Sequence, residues 1–233
     1  MLSLLLDSTL ISPLWPQITL VAAWVSLILL LAWTVHRFTQ AETEIVRKIV
    51  HIGTGNVIML AWWLDIPAIL GITASIVASV ITLLSYRFPI LPGINSVGRQ
   101  SLGTFFYAVS MGILVAWFWQ IEQPQYAAIG IMVMAWGDGL AALVGQRFGQ
   151  HKYKIFGAQK SWEGSLTMAL VGFVITSLIL LGVEGNVWQT WVVSLAVAVA
   201  ATSLETISFL GIDNLTVPLG SAALGFLLIN ILS

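Results

Sequence analysis

Residues 126–145 read YAAIGIMVMAWGDGLAALVG, twenty residues with a single charged side chain, Asp138. An α-helix rises about 1.5 Å per residue, so such a run crosses the ~30 Å hydrocarbon core of a bilayer. That reading decides the fold class, because a chain in lipid must satisfy its own backbone hydrogen bonds, and a helix does so within one segment. It also sets a problem. A charged side chain at the centre of a membrane helix costs about 2.5–3.5 kcal/mol on insertion scales, so Asp138 is expected to face a cavity or a partner and not lipid.

Further apolar runs at 18–36, 49–64, 68–86, 102–120, 166–183, 191–210 and 217–232 flank this one. Together they predict an all-α, polytopic transmembrane bundle of about eight spans, or seven if a short one is discounted, in a single domain over 1–233. Asp65 and Pro67 are expected to turn the second span into the third, and Pro89, Pro92 and Gly93 to break the chain before the fourth. Composition agrees: 58% of the 233 residues are hydrophobic and 8% charged, against about 25% charged in soluble domains. Mean hydropathy is +0.96. The bilayer is therefore an expected partner and nucleic acid is not, since the net charge is −1 and the basic residues form no patch. With no cysteine there is no disulfide frame, thiolate zinc site or iron–sulfur cluster, and any metal is expected to be a hard, oxygen-liganded ion. Met1–Leu6 carries no basic residue, so it is read as mature chain and not as a secretory signal.

Charge placement gives an orientation. Arg37, Arg47 and Lys48, then Arg87 and Arg99, then Arg147, Lys152, Lys154 and Lys160 all fall on one predicted face, while the opposite loops carry only Asp7, Asp65, Glu122 and Glu184. Basic loops stay in the cytoplasm, which puts both termini outside. Trp15, Trp62, Trp63, Trp117, Trp119, Trp188 and Trp191 gather at the predicted outer ends, as interfacial anchors do.

The residues able to carry chemistry collect on the basic face. Asp138 is followed by small residues at Gly139, Ala141, Ala142, Gly145 and Gly149; it reads as a magnesium ligand, or as a packing-face acid paired with a base such as Arg147. Four of the nine basic residues lie between Gln146 and Ser165, ahead of Lys160-Ser161-Trp162-Glu163-Gly164-Ser165. A lysine, hydroxyls and free amides at a helix start suit a phosphate, although a basic loop ending in a Ser N-cap explains the segment equally well. The Lys160-Ser161 pair lacks the glycine spacing of a Walker A loop. Arg47, Lys48 and His51 share a helical face ahead of Gly53, Gly55 and Asn56, so their donors can meet one anion. Glu205 lies inside the seventh span, and Asp213-Asn214 forms a turn whose oxygens suit magnesium or simple turn chemistry.

Taken in order, Arg47-Lys48-Ile49-Val50-His51, Gly137-Asp138 with Ala141, Gly145 and Gly149, Lys160-Ser161 with Glu163-Gly164-Ser165, and Asp213-Asn214 with Val217-Pro218 resemble the motifs of the polyprenol kinase family. These membrane enzymes phosphorylate isoprenoid alcohols with CTP, and the match looks closest to the short members that act on phytol. The resemblance implies conversion of phytol to phytyl phosphate, a salvage step feeding tocopherol synthesis, with geranylgeraniol and farnesol as other acceptors. It implies that Lys160, Ser161, Gly164 and Ser165, with Arg47 and Lys48, hold the nucleotide, and that Asp138, Glu163 and Asp213 hold Mg2+. Asp138, His51 and Lys160 are the implied catalytic groups, His51 or Asp138 being the base. Two other functions stay open here: a CTP-dependent cytidylyltransferase acting on phosphatidate or an isoprenyl phosphate, and a small-anion transporter using Asp138 and Glu205 as coupling groups.

Overall fold

The YAAIGI half of the quoted stretch is apolar on every side, and in the computed structural model it forms the centre of the molecule. The structure describes residues 14–39, 43–88, 101–155 and 158–233; Pro89, Pro92, Gly93, Arg99 and the N-terminal residues Met1–Leu6 and Asp7 lie outside them. The helices are α1 (Trp15–Phe38), α2 (Thr43–Gly55), α3 (Val57–Trp63), α4 (Ala68–Ser85), α5 (Gly103–Phe118) and α6 (Pro124–Met132), then α7 (Gly139–Phe148), α8 (Trp162–Val183), α9 (Trp188–Ile207) and α10 (Asp213–Leu232). A six-residue π-helical segment, Val133–Asp138, joins α6 to α7 without a break.

Among the described residues six helices are long and apolar enough to cross a membrane: Trp15–Phe38, Ala68–Ser85, Pro124–Phe148, Trp162–Val183, Trp188–Ile207 and Asp213–Leu232. The fold class is the expected helical bundle, with two differences. The run at 102–120 forms a shorter apolar helix, Gly103–Phe118. The run at 49–64 is split at Asn56 into α2 and α3. There Asn56 turns its amide Nδ2 back onto the Ile52 carbonyl at 2.9 Å, while its Oδ1 accepts the Trp136 indole N–H at 3.2 Å. A side chain that bonds its own backbone and a distant indole competes with the helical ladder, and the regular helix is interrupted here.

Every residue from Tyr126 to Ile131 is buried, as are Val133, Met134, Ala135 and Gly137. Around this central helix the usual soluble pattern is inverted. On α8, Trp162, Leu166, Leu170, Val174 and Leu178 repeat every four residues and are exposed, while Gly164, Met168, Gly172, Thr176 and Leu180 repeat at the same interval and are buried. In lipid no hydrophobic drive favours large apolar groups inside, so small residues line the contacts and large ones meet the acyl chains.

The small-residue face expected after Asp138 packs against α8. A Cβ on Gly145 would stand 3.0 Å from Ser161 Oγ and 3.6 Å from Gly164 Cα, and one on Gly164 would stand 3.0 Å from the Ala141 carbonyl. One element was not expected: Lys152–Ile155 and Ala158–Ser161 form an antiparallel hairpin, β1 and β2, pairing Tyr153 with Lys160 and Lys152 with Ser161. Lys160 and Ser161 therefore stand on a strand that leads directly into α8.

Gly145→Leu should cost about 1–3 kcal/mol through overpacking at this crossing. Gly182→Ala, where an added Cβ meets nothing within 4 Å, should be neutral or slightly stabilising. Thermal unfolding of the two variants in detergent checks the contrast.

Candidate functional site

Helices α5, α8 and α10 begin, and α7 and α9 finish, around one cleft of about 700 Å³. Its walls include Gly103 and Thr104, Gly164 and Ser165, and Asp213 and Asn214, the first turns of three helices. First-turn amides lack intrahelical acceptors and carry the positive end of the helix dipole, so the cleft favours an anion. The tryptophan-bearing ends, Trp117 of α5 and Trp188 and Trp191 of α9, are by chain direction the opposite ends of helices that meet the cleft.

Asp138 closes the π-helical segment, an irregularity often found at functional sites because its extra residue re-aims the next side chains. Its carboxylate is largely buried and answered from α2, where Lys48 Nζ donates to Oδ2 at 2.5 Å and reaches the Asp138 carbonyl at 3.5 Å. The base paired with Asp138 is thus Lys48, not Arg147. One turn further along α2, His51 Nε2 stands 3.7 Å from the same oxygen. That nitrogen is buried with no hydrogen-bond partner. The imidazole lies against the Tyr107 ring, centroids 4.3 Å apart, and the Tyr107 hydroxyl donates to the His51 carbonyl at 3.3 Å. Gly55 makes this approach possible, since a Cβ there would fall 2.6 Å from the Tyr107 hydroxyl.

A second acid–lysine pair lines the same cleft. Lys160 on β2 donates to both the carboxylate and the backbone carbonyl of Glu205, in the last turn of α9. It therefore caps a helix C-terminus while lining the cleft. Arg47 is paired with Glu44, three residues before it, and its Nε is buried without a partner.

The other expected residues divide. Ser161 is the N-cap of α8: its Oγ accepts the Gly164 N–H at 3.2 Å, so that amide is already used and Gly164 serves mainly as the close-packing point against α7. Ser165 shares a 2.5 Å hydrogen bond with Tyr153 of β1. Asp213 accepts from the Asn214 N–H at 3.0 Å and its Nδ2 at 3.1 Å through one oxygen, and has no ion-pair partner among the described residues. Glu163 is not brought to the cleft. Its carboxylate turns outward to His151, 2.7 Å from Nδ1 and 3.2 Å from the backbone N–H.

Among the described residues no three His, Asp or Glu side chains gather as a ready-made metal cage. Magnesium seldom uses one; it binds through one or two carboxylates and completes its shell with phosphates and water. Asp138 and Asp213 both line the cleft, and each commits only one carboxylate oxygen to a protein hydrogen bond, so this donor set fits such an ion. Sequence reasoning missed the Lys48–Asp138 and Lys160–Glu205 pairs and the place of Tyr107. An acid inside an apolar span flagged Glu205, but no spacing rule joins it to a lysine 45 positions away.

Comparison with known proteins adds an independent line. The chain is 51% identical over 214 residues to a phytol kinase from Synechocystis sp., covering 92% of each. It is 30% identical over 202 residues to the probable phytol kinase 2, chloroplastic, of Glycine max, covering 81% of this chain and 67% of that one. It is also 30% identical over 209 residues to the farnesol kinase, chloroplastic, of Arabidopsis thaliana, covering 80% and 66%. No family model matches the chain. No solved structure matches it.

Removing one member of the buried pair leaves an unanswered charge. Lys48→Met should cost about 3–5 kcal/mol, whereas Lys48→Met with Asp138→Leu should recover most of that loss. Unfolding of the purified variants in detergent measures the coupling.

Proposed function

The chain belongs to the polyprenol kinase family and is a lipid alcohol kinase, and from that premise we propose that it transfers the terminal phosphoryl group of CTP to phytol, giving phytyl phosphate and CDP. In the cell this is a salvage step supplying tocopherol synthesis, and geranylgeraniol and farnesol are related acceptors. The observation that carries the reading is the meeting of Lys48, His51 and Asp138 with Lys160 and Glu205 on one cleft at the end of an apolar bundle. A soluble triphosphate and a membrane alcohol can meet only at such a border. The cytidine preference and the pathway rest on the family resemblance.

The residues divide the work of phosphoryl transfer, which needs positioning and charge stabilisation more than covalent chemistry. Lys160, Arg47 and the start of α8 beside Ser161 and Ser165 hold the phosphates, with Gly164 bringing that turn against α7. Asp138 and Asp213 would hold Mg2+, which when bound screens charge on the phosphate oxygens. Lys48 answers the Asp138 charge and fixes the carboxylate in place. His51 Nε2, unpartnered and held by the Tyr107 ring, takes the proton from the alcohol. The alcohol oxygen then bonds the terminal phosphorus as that phosphorus leaves the bridging oxygen, and the electron pair goes to CDP. Glu163 takes no part in this arrangement. The cleft end, where the basic residues lie, faces the cytoplasm.

In membranes given phytol, γ-labelled CTP should place label in a lipid monophosphate, while α-labelled CTP should leave it in CDP. Label from the α position in lipid would overturn the reading in favour of a cytidylyl transfer. Asp138→Asn should insert normally and lose at least about 100-fold in kcat.

A further inference from the structure

Among the described residues the cleft is walled largely by polar and small side chains; apart from Val50 and Tyr107, its bulky apolar ones are Phe209 and Leu210, on the turn between α9 and α10. We propose that this turn is the seat of the isoprenoid chain: Phe209 and Leu210 hold the carbons next to the hydroxyl at the rim, so that the hydroxyl alone enters the charged interior. The proposal rests on the reading of the protein as an isoprenoid alcohol kinase, and names the acceptor side of that same site.

Phe209 and Leu210 are 56% and 62% exposed while also lining the cleft, and their neighbours Ile207 and Ile212 are exposed as well. An exposed apolar patch thus runs from the end of α9, a helix apolar enough to cross a membrane, up to the cleft. In the chain it lies between Glu205, four residues before Phe209, and Asp213, four after, both on the cleft wall. A substrate with one polar end needs such a border, because its chain gains nothing from charges and its hydroxyl gains nothing from acyl chains.

The exposure is built into the backbone. Leu210 is left-handed, with φ 54°, and Gly211 follows at φ 84°. Ile212 N–H donates to the Phe209 carbonyl at 3.2 Å, and the Asn214 N–H and Nδ2 both donate to the Gly211 carbonyl at 3.2 Å. A Cβ on Gly211 would fall 2.6 Å from the Gly103 nitrogen, so only glycine lets the turn rest against the start of α5. A bulky residue kept in a strained conformation and fixed on both sides is held where it is by the surrounding structure. Here that conformation presents two apolar side chains at the cleft rim.

The full chain in phosphatidylcholine vesicles provides the test. Phe209→Ser and Leu210→Asn, the latter because Asn tolerates the left-handed backbone, should each raise the KM for phytol about tenfold. The nucleotide KM and the thermal midpoint should stay near the wild-type values. An unchanged phytol KM, or a nucleotide KM that rises in parallel, overturns the seat. A wild-type protein that phosphorylates no isoprenoid alcohol with any nucleoside triphosphate removes the kinase reading and the seat with it; one that does so while both variants keep its phytol KM removes the seat alone. Should the substitutions impair folding, Phe209→p-benzoylphenylalanine in otherwise intact protein should crosslink radiolabelled phytol, with excess unlabelled phytol competing. Crosslinking to phosphatidylcholine only would assign the turn to membrane anchoring and overturn the proposal.

Discussion

A carboxylate on a membrane-crossing helix is stable only when something answers its charge, and Lys48 does so for Asp138 across 2.5 Å. Much of the local architecture follows from that contact. For α2 to reach Asp138, the segment after α1 must lie against the π-helical turn and α7, and its own charges keep it from being an ordinary span. Gly55 has no side chain to hold it away from Ala135 and Tyr107, and Asn56 ends α2 while bonding Trp136 of the same π-helical segment. Trp24 of α1 then donates to the Gly53 carbonyl at 2.8 Å, fastening the outermost helix to the same place.

The Lys160–Glu205 pair repeats the device, tying the β-hairpin to the end of α9 as the first pair ties α2 to the π-helical segment. Each lysine is thereby held beside the cleft without carrying an unanswered charge. On the proposed function this is preorganisation for phosphate and metal, since the cations are aligned before the anion arrives. Asp213 stands apart, with Asn214 as its one hydrogen-bond partner among the described residues.

Much of the bundle was legible from residues alone. Runs of about twenty apolar residues need no tertiary information to be read as helices, because lipid removes the alternatives. Asp138 and Glu205 stood out for the same reason, as charges where charge is costly. Ser161 was legible as an N-cap, and Gly145 and Gly149 as a close-packing face. The split of the second span was not, because Asn56 breaks the helix through an indole 80 positions away. Glu163, one residue beyond Trp162, was grouped with the cleft by proximity in sequence, but the hairpin brings His151 beside it and turns its carboxylate outward.

What the sequence determined by itself is the solvent of each segment and the gathering of charge at one end of the helices, because hydropathy and charge are local and the bilayer acts on every residue independently of its partners. Only the tertiary structure decided which charges meet: Lys48 with Asp138, Lys160 with Glu205, His51 beside Asp138 and against Tyr107. The same holds for the apolar rim at Phe209 and Leu210, indistinguishable in sequence from side chains that touch bulk lipid. Its place at the cleft is set by a left-handed turn and a glycine contact between that turn and the start of α5, and pair distances of this kind are properties of packing that no local pattern encodes.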